Sequence, residues 1–129
     1  MAALSDLANR TKQAGKVTCD FDCPKPVLVE DNVIGTHLYL IAQEAVHNAV
    51  KHGRCQNILI SVESNHLLVL RVQDDGIGIP DQPTENRSGL GLRIMRNRAS
   101  IIGATLTVEP ATPAGTLVTC TLVRKNHEP

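Results

Sequence analysis

The alternation of apolar and polar residues divides the chain into three helical and five extended segments. Apolar residues recur at helical spacing over residues 2–14, 31–52 and 90–102. Shorter apolar segments bounded by turn residues predict strands at 17–21, 57–63, 67–73, 104–109 and 116–124. Gly15, Gly53 and Gly103 follow the helical segments and are expected to end them. This order predicts an α+β fold, an open, mixed and mostly antiparallel sheet with helices on one face, which it fits better than repeated βαβ units.

The longest helical segment carries a polar column beside its apolar stripe. The stripe consists of Leu38, Ile41, Ala42, Ala45 and Ala49. Glu44, Asn48 and Lys51 are four and three residues apart, so they form one column about a quarter turn from that stripe. Asparagine and carboxylate oxygens suit Mg²⁺, and a lysine ammonium suits a phosphate. Taken alone, such a column is more typical of a solvated helix face.

The extended segment 67–73 is followed by an acid that its period directs inward. The residues on that side are Leu68, Leu70, Val72 and Asp74. If this side faces the core, Asp74 is a buried carboxylate that needs a hydrogen-bond donor, and an adenine amino group is one. Thr116 shares a face with Val118 in the last strand and would bring a hydroxyl to the same floor. The alternative is that Asp74 caps the turn at Asp75 and Gly76.

Two glycine pairs follow Asp74. Gly76 and Gly78 would let the backbone approach a planar ring. Gly89 and Gly91 precede the third helix, where free N–H groups and the helix dipole favour phosphate. Residues 81–88 between them are expected to form a loop and lid. No P-loop motif occurs, and the first pair is not a dinucleotide fingerprint because Pro80 follows it.

Composition narrows the possible functions. The 129 residues predict one domain, with its core at about 16–124. Thirteen basic and thirteen acidic residues argue against nucleic-acid or membrane partners, and a single Tyr and Phe without Trp argue against base stacking. No apolar run approaches the roughly 20 residues of a membrane span, and no segment has the basic start, apolar stretch and small-residue site typical of a signal peptide. The cysteines, Cys19, Cys23, Cys55 and Cys120, are expected to be reduced in a cytoplasmic, monomeric domain.

The motifs together resemble the catalytic domain of two-component sensor histidine kinases over about residues 37–123. One stretch of this chain resembles the N box of these kinases, namely Glu44-x-x-x-Asn48-x-x-Lys51-His52. Two others resemble their first and second glycine boxes, Asp74-x-Gly76-x-Gly78 and Gly89-Leu90-Gly91-Leu92. The last strand of this chain begins at Gly115-Thr116, which resembles the Gly-Thr found in that strand across the wider gyrase, chaperone, kinase and mismatch-repair ATPase superfamily. Two further stretches resemble the nitrate-sensor subfamily of these kinases, namely Gln43-Glu44-Ala45 and Gly91-Leu92-x-x-Met95-x-x-Arg98-Ala99.

The resemblance implies a two-layer α/β sandwich, the Bergerat ATP-binding fold, with ATP and Mg²⁺ as cofactors. It assigns Asn48 to Mg²⁺, and Glu44 to a catalytic base or water-orienting role that reaches the metal through a water. It assigns Lys51 and His52 to the phosphates, and Asp74 and Thr116 to the adenine amine. It assigns the adenine edge to Gly76, Gly78 and Ile79. The phosphate side of the lid is assigned to Gly89, Leu90, Gly91 and Leu92.

The resemblance also implies partners outside the chain. The family phosphorylates a histidine on a separate dimerising hairpin, and no such motif occurs before Asp31. None of the histidines at 37, 47, 52, 66 and 127 has that context, and His47 is expected on the outer helix face. We therefore expect the catalytic piece of a longer sensor, itself without membrane contact and unable to autophosphorylate alone. Its parent would be anchored in the inner membrane and reach a response regulator indirectly.

Alternatives remain open at two points. The same fold serves stand-alone regulatory ATP-binding modules and anti-sigma-type serine kinases, whereas gyrase- or chaperone-type clamps carry a large second domain. Arg98 lies on the apolar side of its helix. Either its stem packs on the core with its head reaching solvent, or it pairs with a carboxylate near the site.

Overall fold

The computed structural model describes residues 2–15, 17–52, 54–77 and 88–124. It contains helices α1 (Ala2–Gln13), α2 (Asn32–His52) and α3 (Ser88–Ile101), and strands β1 (Thr18–Asp22), β2 (Asn57–Ser64), β3 (Leu67–Asp74), β4 (Thr105–Pro110) and β5 (Thr116–Val123). The predicted order is confirmed, and element ends agree to within one or two residues. None of these three helices has both the length and the apolar content needed to cross a bilayer.

The start of α3 differs from the prediction in a way that matters for the site. The predicted helix begins at Leu90, whereas α3 begins at Ser88, so Gly89 as well as Gly91 lies inside it and the expectation that both glycines precede the helix is wrong. Glycine is a poor helix former, which favours a later start. Gly91 packs closely against α2.

The five strands form one sheet in the order β1-β2-β3-β5-β4. β1 pairs with β2 in parallel, and the other three pairings are antiparallel, which confirms the mixed and mostly antiparallel sheet. β3 is the central strand, and its last residue, Asp74, lies opposite Ile58 of β2. Asp74 therefore lies at the end of the middle strand of the sheet.

Alternate residues of the central strands build an aliphatic core beneath α2. The buried sheet residues include Ile58, Ile60 and Val62 of β2, Leu68, Leu70 and Val72 of β3, and Val118 and Cys120 of β5. All five members of the predicted helical stripe, Leu38, Ile41, Ala42, Ala45 and Ala49, are buried against them. Full burial of each Val, Leu or Ile side chain among them contributes about 1.5–3 kcal/mol to stability. The two-layer sandwich is therefore held by one continuous core.

Local signals mark the start of α2 and the ends of α1 and α3, whereas Gly53, the predicted stop of α2, lies outside the described residues. The Asp31 Oδ1 accepts hydrogen bonds from the backbone amides of Val33 (2.8 Å) and Ile34 (3.2 Å), which caps α2. Gly15 and Gly103 have φ angles of 83° and 73°, so each ends its helix in the left-handed conformation that glycine adopts without strain.

The direction of each element decides which ends meet. Ile34 near the start of α2 and Leu68 near the start of β3 line one groove of about 460 Å³, together with Ile102 and Leu122. α2 and β3 therefore run in the same direction, and their other ends lie together at the opposite end of the domain. α3 runs back along α2, since Gly91 lies at Asn48 and Arg98 lies at His37.

Candidate functional site

Asp74 is the one buried polar side chain among those that the structure describes, with 9% of its surface exposed. Its Oδ1 accepts a hydrogen bond of 2.8 Å from the backbone amide of Gly76. The carboxylate therefore points inward and also closes the turn, and its role toward adenine stays a prediction. In the part of the chain that the structure describes, no side chain donates a hydrogen bond to it.

The environment of Asp74 disfavours its charged form. Burial raises the pKa of Asp74, and the negative charge of Asp75 raises it further. The backbone amides of Gly76 and Thr116 oppose this shift by stabilising the carboxylate. Among the described residues no cation pairs with this carboxylate, and a desolvated carboxylate supported by backbone amides gains most from an N–H donor supplied by a ligand.

The start of β5 packs backbone to backbone against the end of β3. Gly115 has a φ of 102°, and a Cβ atom there would overlap the carbonyl oxygen of Asp74 and lie 2.9 Å from the Cα of Asp75. The next residue, Thr116, is half-buried and favours the Asp74 carboxylate through its backbone amide. The sequence analysis expected the Thr116 hydroxyl here, and the role of that hydroxyl stays a prediction.

Asp75 faces away from the core and bonds to the start of β2. Its Oδ1 accepts from the backbone amides of Gln56 and Asn57, each at 2.9 Å, and its Oδ2 accepts from the Asn57 Nδ2 at 2.8 Å. These bonds lower the pKa of Asp75 to about 2, and the bond from the Asn57 side chain has the largest effect. The sequence analysis missed this contact. Period two places Asp75 outward, but the partner lies 18 positions away and is known only from strand pairing.

A second cluster joins α2 to α3. A Cβ atom on Gly91 would lie 2.5 Å from Asn48 Nδ2 and 3.0 Å from Glu44 Oε2, so the first turn of α3 rests directly on these two side chains. Glu44 and Asn48 are half-buried, and Lys51, one turn further along the predicted column, is exposed. His52 is the last residue of α2, and its side chain lies outside the described part of the structure.

Cys55 links the two clusters. Its thiol donates a hydrogen bond of 3.4 Å to the carbonyl oxygen of Ala49 in α2. Burial raises the pKa of this thiol, and the nearby charges of Asp74 and Asp75 raise it further. The last turns of α2 and the end of β3 are therefore neighbours, so Asn48 and Asp74 occupy the same end of the domain. The sequence carries no signal for the position of Cys55, because it lies in the connection before β2.

Other predicted site residues are placed in part. Gly78, Ile79 and the lid residues up to 87 lie outside the described residues. Gly89 and Leu90 lie in the first turn of α3, where the described packing begins at Gly91. Leu92 is half-buried and packs against the hydrophobic core.

Arg98 makes a contact that the sequence analysis did not consider. Its Nη1 lies 3.4 Å from His37 Nδ1, which bridges α3 and α2. Within the described residues no carboxylate lies at ion-pair distance from Arg98. Arginine can only donate, so His37 Nδ1 would be the acceptor in a hydrogen bond between them. His47 is exposed, as predicted.

The oxygen donors at this end suit a metal that arrives with phosphates. In the described ranges, no group of three His, Cys, Asp or Glu side chains converges on one point. Asn48 and Glu44 lie one turn apart on α2 and each carries a side-chain oxygen, and Asn48 Nδ2 and Glu44 Oε2 both face Gly91. Mg²⁺ is typically held by one or two protein oxygens, with phosphates and waters completing its shell, so this donor set fits a magnesium nucleotide.

Comparisons with protein families and with known proteins agree on one family. The profile of the family described as "Histidine kinase-, DNA gyrase B-, and HSP90-like ATPase" matches residues 33–126. The chain is 36% identical over 121 residues to the nitrate/nitrite sensor protein NarQ of Escherichia coli strain K12. It is 32% identical over 90 residues to the oxygen sensor histidine kinase NreB of Staphylococcus carnosus. These matches cover 91% and 69% of this chain but only 21% and 26% of the two relatives.

Solved structures share the fold. A blue-light activated histidine kinase, EL346 of Erythrobacter litoralis, superposes with a TM-score of 0.75 and 25% identity over 95% of this chain and 44% of that chain. The ATP binding domain of PrrB from Mycobacterium tuberculosis gives a TM-score of 0.74 at 23% identity, over 97% of this chain and 93% of that one. The second likeness supports the fold alone.

Proposed function

The chain belongs to the histidine kinase-, DNA gyrase B- and HSP90-like ATPase family, and we propose that it binds Mg-ATP as the catalytic domain of a two-component sensor histidine kinase. Membership of the family implies ATP binding, and sensor kinases are among its relatives. The chain spans about a fifth to a quarter of those relatives, so the activity of the whole sensor is part of the proposal.

The buried Asp74 carboxylate is the observation that carries the proposal. It lies at the end of the central strand, its pKa is raised by burial, and backbone amides are its donors within the described structure. The exocyclic amine of adenine would supply the missing N–H donor. Guanine presents a carbonyl oxygen at the same position, which the carboxylate would repel. The site is therefore proposed to prefer ATP to GTP.

Asn48 and Glu44 would receive the phosphate end of the nucleotide. Bound Mg²⁺ would supply charge neutralisation at the phosphates. Asn48 would offer its side-chain oxygen to that ion, and Glu44 would act through a water or orient the attacking group. The free N–H groups in the first turn of α3 and the exposed Lys51 would complete the phosphate contacts.

The proposed reaction passes the γ-phosphate to a histidine on the helical hairpin of the parent kinase. Catalysis would consist mainly of positioning the nucleotide and neutralising charge, which this end of the domain is suited to do. The histidine belongs to that separate hairpin, so the chain incubated alone with labelled ATP should acquire no acid-labile phosphate. Acid-labile label on the isolated chain would contradict this assignment.

Calorimetric titration of Mg-ATP tests the adenine assignment. The variant Asp74→Asn keeps the shape of the side chain but replaces an acceptor oxygen with a donor. We expect it to lose about tenfold or more in affinity, the effect typical of removing one hydrogen bond to a charged group. Glu63→Gln, which alters an exposed ion pair with Arg71 between β2 and β3, is the control and should bind as the wild type does. Undiminished binding by Asp74→Asn would contradict the assignment.

A further inference from the structure

We propose that Asp75 is a positioning residue for purine recognition: its carboxylate anchors the end of β3 to the start of β2 and thereby fixes where the adjacent Asp74 carboxylate meets the base. This inference rests on the proposed function, because it assigns a role relative to the bound purine. Asp75 itself is exposed and points away from the core, so it is not expected to touch the nucleotide.

Asp75 and Asn57 exchange hydrogen bonds through both backbone and side chains. The Asp75 carboxylate accepts from the Asn57 backbone amide (2.9 Å) and from its Nδ2 (2.8 Å), and the Asp75 amide donates to the Asn57 carbonyl oxygen (3.3 Å). Gln56 adds a fourth bond through its backbone amide, at 2.9 Å. Hydrogen bonds to an ionised carboxylate are about twice as strong as neutral ones. The end of β3 and the start of β2 are therefore joined beyond the ladder by four hydrogen bonds, three of them to the Asp75 carboxylate.

The position of this link on the sheet explains its effect. Pairing of β2 with β3 ends at Ile58 opposite Asp74, so the regular ladder stops at the acid itself. A residue at the end of a ladder frays unless something beyond it is tied down. Asp75 provides that attachment one residue past the ladder.

The opposite side of the same segment is held by close packing. Gly115 approaches so near that a Cβ atom would overlap the Asp74 carbonyl oxygen. Residues 74 and 75 therefore lie between the start of β5 on one side and the start of β2 on the other. Loss of the β2 contact would leave the segment supported on one side, and a displacement of about 1 Å at a recognition group can cost a hundredfold in function.

The ionisation state of Asp75 supports a permanent role. Its hydrogen bonds lower its pKa to about 2, so the carboxylate stays charged at any pH at which the domain would work. The link is thus constitutive, and pH changes near neutrality leave it intact.

The test measures Kd for Mg-ATP and Mg-GTP by calorimetry on the 129-residue chain, well below each variant's melting temperature. We expect Asp75→Ala to weaken ATP binding by about tenfold and GTP binding by much less, which narrows the preference for ATP. Glu63→Gln is the matched control, because its carboxylate also bonds across β2 and β3, to Arg71 Nη1 at 2.7 Å. It should change both Kd values by less than about twofold.

A rescue experiment separates positioning from general stability. Asp75→Asn should lose part of the preference, and adding Asn57→Asp should recover some of it, because the pair then again joins one amide to one carboxylate. Circular dichroism establishes that each variant is folded. If Asp75→Ala does not fold, Asp75→Asn with its partner change provides the same comparison.

The outcomes distinguish this inference from the function beneath it. An Asp75→Ala protein with wild-type affinity and preference would overturn the inference while leaving ATP binding through Asp74 in place. A parallel loss for ATP and GTP would also overturn it, since Asp75 would then serve stability alone. A wild-type chain that binds no ATP would refute the proposed function, and the inference with it.

Discussion

At the scale of single residues, Asp74 and Asp75 show how neighbours in sequence acquire opposite properties. Burial raises the pKa of Asp74, whereas three N–H donors lower the pKa of Asp75 to about 2. A raised folded-state pKa means that Asp74 stabilises the fold fully only below its unfolded pKa, and that this contribution is lost as pH rises through the folded value. The ionised form of Asp74 therefore stabilises the fold less than its protonated form does, which is the energetic cost of a buried binding group.

Asp75 predicts the opposite dependence on pH. Its folded pKa is depressed from 3.8 to about 2, so its contribution to stability is present above pH 3.8 and disappears as the pH falls toward 2. The difference in free energy of unfolding between wild type and Asp75→Asn should therefore be largest near neutrality and shrink below pH 3.8. Urea unfolding at pH 7 and pH 3 measures it. Glu63→Gln is the control for removal of an exposed carboxylate, and a pH-independent difference for Asp75→Asn would contradict the prediction.

At the scale of elements, the contact between α2 and α3 couples the proposed metal ligands to the helix that follows the lid. Gly91 has no side chain, and this absence lets the first turn of α3 lie on Asn48 and Glu44. Any added atom must move the Asn48 amide, the Glu44 carboxylate or the helix itself. The second glycine of the motif is therefore a packing requirement as well as a source of free backbone.

Two glycines in helices provide a matched test of this packing. In Gly91→Ala the new Cβ would lie 2.5 Å from Asn48 Nδ2, so we expect weaker Mg-ATP binding in titration calorimetry. In Gly35→Ala the Cβ would lie 3.8 Å from Val29 Cγ1, an ordinary contact. That control should raise the free energy of unfolding by about 0.5–1 kcal/mol without changing affinity, because alanine favours the helix. Equal affinities for both variants would show that α3 does not position the ligands.

At the scale of the whole molecule, the shared direction of α2 and β3 places the proposed adenine and phosphate contacts at one end of the domain. The groove lined in part by Ile34, Leu68 and Leu122 lies at the other end. Cys55, bonded to Ala49 and close to Asp74, marks the junction of helix and sheet beside the site. A ligand bound there would contact α2, β3, β5 and α3 together and should stabilise the entire fold.

Binding should appear as a rise in melting temperature. At about a hundredfold over its dissociation constant, Mg-ATP should add roughly 2.7 kcal/mol to the free energy of unfolding. Differential scanning fluorimetry with Mg-ATP, with ATP plus a chelator, and with Mg²⁺ alone separates the contributions of nucleotide and metal. Asp74→Asn under the same conditions should show a much smaller rise. An unchanged melting temperature at millimolar Mg-ATP would argue against the proposed function.

Sequence alone predicted most of the fold, because helix and strand periods are local properties. The stripe of α2, the strand alternation ending at Asp74 and the glycine stops at 15 and 103 all follow from neighbouring residues, and the structure confirms them. The start of α3 was predicted two residues late, at Leu90 and not at Ser88, because glycine at position 89 is a poor helix former. The motif residues of the candidate site were also visible in the sequence, and their roles stay predictions.

What the sequence determined by itself was which residues carry the chemistry and on which side of each element they lie. What only the tertiary structure decided was which of them touch. Four of these contacts join residues distant along the chain: Asp75 with Asn57, Gly115 with Asp74, Gly91 with Asn48, and Arg98 with His37. Such pairs depend on strand register and helix packing, which arise from the burial of the core as a whole and leave no periodic signal at the residues they join.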